Sequence, residues 1–201
     1  MTRPGFRTGR SRGTPSTARA DSGDGFLSTA LFSQAQILHL MKNEFARARR
    51  HGIAVGCVLL QVDRLQQLVD LHGVELRTVV RAEVARLVRE KTRGSDLLGT
   101  TNDDRYLLVL PHTTLEHTLL VARRLLDQFG ERQIAVDGRV LALTMSIGVT
   151  ACDDQKTLFF DSLLAQAEAA ADHAAQQGGN QVVAFAEVPM RPEEPEGGGP
   201  A

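Results

Sequence analysis

Ile53 to Val62 reads IAVGCVLLQV, a short Val-rich run with almost no polar side chain. It falls well short of the ~18 apolar residues that cross a bilayer, and it reads as a buried strand. What flanks it alternates in period. Leu31 to Arg50 places Ile37, Leu38, Met41, Phe45 and Ala48 at helical spacing, and Gly52 ends that helix. Leu65 to Leu71 and Glu75 to Arg89 read as helices broken near His72-Gly73. Asp96 to Thr101 and Tyr106 to Leu110 read as two strands joined through Asn102-Asp103-Asp104. Thr114 to Phe129 is helical, with Thr113 or Thr114 as N-cap. Ile134 to Val136 and Val140 to Val149 flank Asp137-Gly138, a hairpin signal. Leu158 to Gln177 is an alanine-rich helix stopped by Gly178-Gly179, and Val182 to Phe185 is a last short strand. This alternation predicts an α/β fold of the α+β mixed-sheet kind, with a central, mostly antiparallel sheet covered by helices.

Composition bounds the class. The chain has 201 residues and is 42% hydrophobic, enough for one globular domain with a sizeable core. Two cysteines, Cys57 and Cys152, build no disulfide framework and read as buried or reduced thiols. The histidines are scattered; His112 and His117 are the nearest pair, at a spacing poor for metal binding, and all read as surface residues. A net charge of −1 makes a nucleic-acid partner unlikely on composition. That near-zero total hides an asymmetry. Residues 1–20 carry five arginines and no acid, while residues 187–201 carry four glutamates and one arginine. Gly, Ser, Thr, Pro and Arg dominate the first end and Pro and Gly the last, so residues 1–25 are expected to be a disordered basic arm and 187–201 a disordered acidic tail around a domain at 26–186. With no spanning segment and no secretory signal, the expected location is cytoplasmic, without membrane insertion.

The order of these segments resembles the GGDEF domain, the diguanylate cyclase family. ARARRHG at 46–52 leads into VLLQVDRLQQLVDLHG at 58–73, which resembles the family's Asp-x-Asp-x-Phe-Lys strand and its Gly-His turn. Arg93-Gly94-Ser95-Asp96 precedes a hairpin, Thr144 to Val149 matches the Ser-Ile-Gly-Val strand, and Gly178-Gly179-Asn180 resembles the closing Gly-Arg-Asn turn. The family's chemistry holds GTP, two divalent cations and a 3′ hydroxyl, and hard cations need carboxylate oxygens.

By the resemblance, the first metal carboxylate falls on neutral Gln61, while Asp63 remains and reads as a strand-end cap for the helix beginning at Arg64. The signature turn falls on Asn102-Asp103-Asp104-Arg105-Tyr106: both glycines are replaced, Asp104 keeps a metal-ligand position and Arg105 replaces an acid. The guanine-binding positions carry Val69 and Thr78, the phosphate-clamp positions carry Ala175 and Gly179, and Gln66 replaces a lysine. Losses at metal, base and phosphate together predict a degenerate domain that is not an enzyme.

The resemblance also implies a second site. Arg93 and Asp96 stand at the spacing of the family's inhibitory site, which binds cyclic di-GMP, and Arg124 falls where a further arginine completes it. Arg47 matches a position that in some members reaches the ligand from a neighbouring domain. An arginine fork suits guanine O6 and N7 or a phosphate, and a carboxylate can accept from the guanine N1–H and N2–H edge. The expectation is a cyclic di-GMP receptor of a bacterial-type signalling system, with no cofactor. It would signal by ligand-dependent dimerisation or by binding a protein partner. A nucleotide-independent interaction scaffold is the alternative, and a residual enzyme using Asp63 and Asp104 ranks last.

Overall fold

In the computed structural model the described residues are 31–102, 104–136, 138–152 and 159–189. Helix α1 (Gln34–His51) starts from a capping box: Ser33 N–H donates to Gln36 Oε1 at 2.9 Å and Gln36 N–H returns to Ser33 Oγ at 3.5 Å. Gly52 closes it in the left-handed region, φ 64°. Strand β1 (Val55–Val62) follows, then α2 (Leu65–His72), α3 (Glu75–Lys91), β2 (Leu97–Thr100), β3 (Tyr106–Pro111) and α4 (Leu115–Gly130). The hairpin β4 (Ile134–Val136) and β5 (Arg139–Leu141), strand β6 (Met145–Cys152), α5 (Phe160–Gln176) and β7 (Gln181–Ala184) complete the order, ending in a 3₁₀ turn at Phe185–Glu187.

Five strands form one sheet in the order β2-β3-β1-β6-β7. β1 pairs antiparallel with both β3 and β6, and β7 joins β6 in parallel. The central position of β1 accounts for its composition. Val58, Leu60 and Val62 face one core with Leu76, Val80 and Leu87 of α3 and Leu125 and Phe129 of α4. Val55, Cys57 and Leu59 face the other, with Ile37, Met41 and Phe45 of α1 and Leu163 and Ala167 of α5. The alanines of α5 have a packing reason. A Cβ on Gly148 of β6 would lie 2.1 Å from the Ala167 carbonyl oxygen, so helix backbone rests directly on strand backbone.

Three local expectations change. The run Val140 to Val149 is two strands, not one. Asp63 N–H pairs with the Thr144 carbonyl at 2.9 Å, so the chain leaves the small hairpin before Met145 and enters the main sheet beside β1. Thr114 stands at the N-cap of α4 but makes no side-chain cap; its hydroxyl lies 2.9 Å from His117 Nδ1 instead. The cap of α2 is Arg64, with φ 54° and no side-chain cap bond, so Asp63 does not cap that helix. Cys57 and Cys152 are buried and form no disulfide; burial, with the charge of Glu168 adding, pushes the Cys57 thiol up to about 12. The basic arm lies outside the described residues, as do Asp103, Asp137 and most of the acidic tail. Glu187, counted in the tail on sequence, instead closes the 3₁₀ turn by accepting from Ala184 N–H at 3.4 Å.

Candidate ligand site

Helix α3 ends at Lys91, and the four residues Arg93 to Asp96 turn the chain into β2. Asp96 closes the turn twice. Its N–H donates to the Arg93 carbonyl at 3.0 Å, and its Oδ2 accepts from Arg93 N–H at 2.8 Å. Partial burial pushes the Asp96 carboxyl above its ordinary value, against the Arg93 N–H, the Arg93 charge and a weak bond from Ser95. Across from the turn, the Arg124 guanidinium of α4 donates to the Lys91 carbonyl, one of the orphan acceptors at the end of α3. Arg93, Asp96 and Arg124 thereby line one groove of about 420 Å³. Glu90 sits on its rim, but its carboxylate is drawn away by Arg132 at 2.5 Å and Arg86 at 3.4 Å. The bond from Arg132 chiefly holds the Glu90 carboxyl below its ordinary range.

Groove residues beyond Arg93, Asp96 and Arg124 escaped the sequence reading, among them two on α4. His117 and Leu120 line it with Arg124, and Leu120 is exposed despite its apolar side chain. Their signal was available: positions 117, 120 and 124 share one face of a 3.6-residue helix. Arg47 is not brought into this groove. It lies on α1, pairs with Glu44 at 3.2 Å, and borders a separate depression beside His112.

A second cleft of about 540 Å³ opens at the end of β1, lined by Gln61, Arg64, Gln66, Arg77 and Asp104 among others. Asp104 occupies the left-handed region, φ 58°, in the turn before β3. Arg77 Nε lies 2.7 Å from Asp104 Oδ2 but off the N–H direction, so the contact is an ion pair without a hydrogen bond through Nε. Arg105 pairs with Asp172 of α5 at 2.6 Å. Tyr106 is buried beneath Asp104, and burial, reinforced by that charge, pushes its hydroxyl up to about 12. Asp63 is turned away from helix capping into a bracket: it accepts from Thr144 Oγ1 at 2.7 Å, Ser146 Oγ at 2.6 Å and Asn180 N–H at 2.9 Å. Gly179 is what lets it reach, since a Cβ there would lie 2.6 Å from Asp63 Oδ2. Val69 is buried in the core, Thr78 is exposed and Ala175 is half-buried.

Residues 27–181 match the family described as "Diguanylate cyclase, GGDEF domain". The chain belongs to the GGDEF family. Diguanylate cyclase A of Treponema denticola is 25% identical over 133 residues, covering 64% of this chain and 34% of that protein. This chain therefore spans about a third of that relative's length. Among solved structures, the FimX GGDEF domain of Pseudomonas aeruginosa superposes with TM-score 0.72 at 24% identity, over 77% of this chain and 95% of that one. The GGDEF domain of DgcB from Caulobacter crescentus, solved in complex with c-di-GMP, gives TM-score 0.72 at 16% identity, over 80% and 94%. The mixed, mostly antiparallel sheet with its helices is the GGDEF fold.

Two divalent cations belong to the family's cyclase chemistry, and the cleft of this GGDEF domain does not fit them. Gln61 offers a neutral amide, Asp63 is bonded to three donors, and Asp104 is ion-paired with Arg77. Among the described residues no three His, Cys, Asp or Glu side chains are grouped to hold a metal ion. Among the same residues, no helix is long and apolar enough to cross a membrane.

Proposed function

We propose that this chain is a cytoplasmic receptor for cyclic di-GMP that synthesises none, binding the ligand in the groove formed by Arg93, Asp96 and Arg124. The carrying observation is that these three side chains, 31 positions apart in sequence at the extremes, line one groove while the metal-ligand positions are neutral, bonded or ion-paired. The chemistry matches the ligand. Asp96 presents a carboxylate for the guanine N–H edge, Arg93 offers a fork to O6 and N7, and Arg124 neutralises phosphate. Leu120 supplies an apolar surface for a purine face. The c-di-GMP-bound DgcB domain, with the same fold, supports the reading. Arg47 lies outside the groove, so in this reading it meets the ligand only from a second copy, and binding promotes dimerisation or docking to a protein partner.

Titration calorimetry with cyclic di-GMP tests this. The natural chain is expected to bind with a Kd of about 1 μM or tighter, and both Arg93→Ala and Asp96→Ala to abolish the heat. No heat at high protein concentration refutes the receptor and leaves the interaction scaffold. A GTP turnover assay with Mg²⁺ or Mn²⁺ is expected to yield no product; any that depends on Asp104 refutes the absence of synthesis.

A further inference from the structure

We propose that Arg77 is a cation built into the chain that takes the place of the family's metal, and that its guanidinium closes the cleft to divalent ions. Two elements reach it from either side, and a third lines the same cleft. Its Nε is 2.7 Å from Asp104 Oδ2 in the turn before β3, and its NH2 group donates to Gln66 Oε1 of α2 at 2.7 Å. Gln66 passes the contact on, donating to Asp70 Oδ1 at 2.8 Å. At the end of β1, the buried Gln61 Oε1 has no partner among the described residues and lines the same cleft. A metal's work in such a cleft is to gather oxygen ligands and offset the charge of the acid in the turn. Arg77 does both with a monovalent, planar cation carried on α3. A divalent ion entering beside it meets like-charge repulsion at short range and finds Asp104 already paired. Neutral Gln61 follows from the same logic, because the resident charge of Arg77 is already balanced by Asp104. Arg64 adds a second positive charge to the lining, further opposing a divalent cation.

The experiment is Mn²⁺ binding to the full chain, read from the paramagnetic resonance signal of free Mn²⁺. The natural chain and Gln61→Asp are expected to show no saturable site at millimolar Mn²⁺. Gln61→Asp with Arg77→Ala should bind saturably, at least about tenfold tighter than Gln61→Asp alone, and lose the site again with Asp104→Asn. A single Gln61→Asp variant that binds as tightly as the double one overturns the proposal, as does Asp104-dependent binding by the natural chain. Should the double variant fail to fold, Arg77→Ala alone decides: Mn²⁺ is expected to raise its Tm and not that of the natural chain, and no rise overturns the proposal. Arg77 lies outside the Arg93 groove, so cyclic di-GMP affinity is expected to survive Arg77→Ala, which separates this test from that of the receptor.

Discussion

Replacing Asp63 by alanine removes one side chain from three places at once. Its carboxylate joins the end of β1 to Thr144 and Ser146 at the start of β6 and to Asn180 in the turn between α5 and β7. The three donors differ in what they lose. Thr144 and Asn180 are exposed and can turn to water, so each of those bonds contributes about 0.5–1 kcal/mol. Ser146 is fully buried, and its hydroxyl left without an acceptor costs about 1–3 kcal/mol. The expected loss is about 3 kcal/mol, a large part of the ~5–15 kcal/mol that holds a domain folded. For a chain of this size that lowers Tm by about 6–12 °C. Urea unfolding followed by circular dichroism measures it, as a lower midpoint at unchanged slope. Asp63→Asn adds discrimination. Asparagine caps helices as well as aspartate does, so a capping role predicts almost no loss for this variant. The bracket predicts a clear loss, because one amide oxygen cannot replace two carboxylate oxygens serving three donors. A loss below about 1 kcal/mol for Asp63→Ala, or an Asp63→Asn variant as stable as the natural chain, refutes the bracket.

Two further outcomes concern titration. The Asp96 carboxyl ionises above its ordinary 3.8, and the guanine edge requires the ionised form, so in the acid range where Asp96 is protonated ligand binding releases a proton. Cyclic di-GMP affinity is therefore expected to be flat near neutrality and to fall as pH drops through the raised Asp96 value; calorimetry across acidic buffers checks it, and affinity rising toward acid refutes it. Tyr106 is the single tyrosine of the chain, so tyrosinate absorbance reports it alone. Its folded value of about 12 lies above the ordinary 10.0, so its contribution is whole below pH 10 and is lost as pH rises through 12, about 3 kcal/mol in all. Titration of the folded chain at the ordinary value would show that the hydroxyl is not buried.

The element order was legible in residue pattern because each element carries its own period. The Val-rich run became the central strand, and Gly52 and Gly73 mark helix ends in the structure. The Arg93 to Asp96 turn was legible too, as a local motif closed by its own side chain. What residue order did not disclose is pairing between distant segments. Nothing near Asp63 in sequence says that its partners are Thr144, Ser146 and Asn180, and local logic offered a helix cap instead. Nothing near Arg77 in sequence points to the turn at Asp104 that folds against it. The split of Val140 to Val149 likewise follows from which neighbour each half meets. By itself the sequence determined most of the elements and the Arg93 to Asp96 turn, which rest on short-range spacing, and the family, which rests on their order. Only the tertiary structure decided which charges are satisfied, because an ion pair or a shared carboxylate depends on the few ångströms between atoms that the chain separates by dozens of residues.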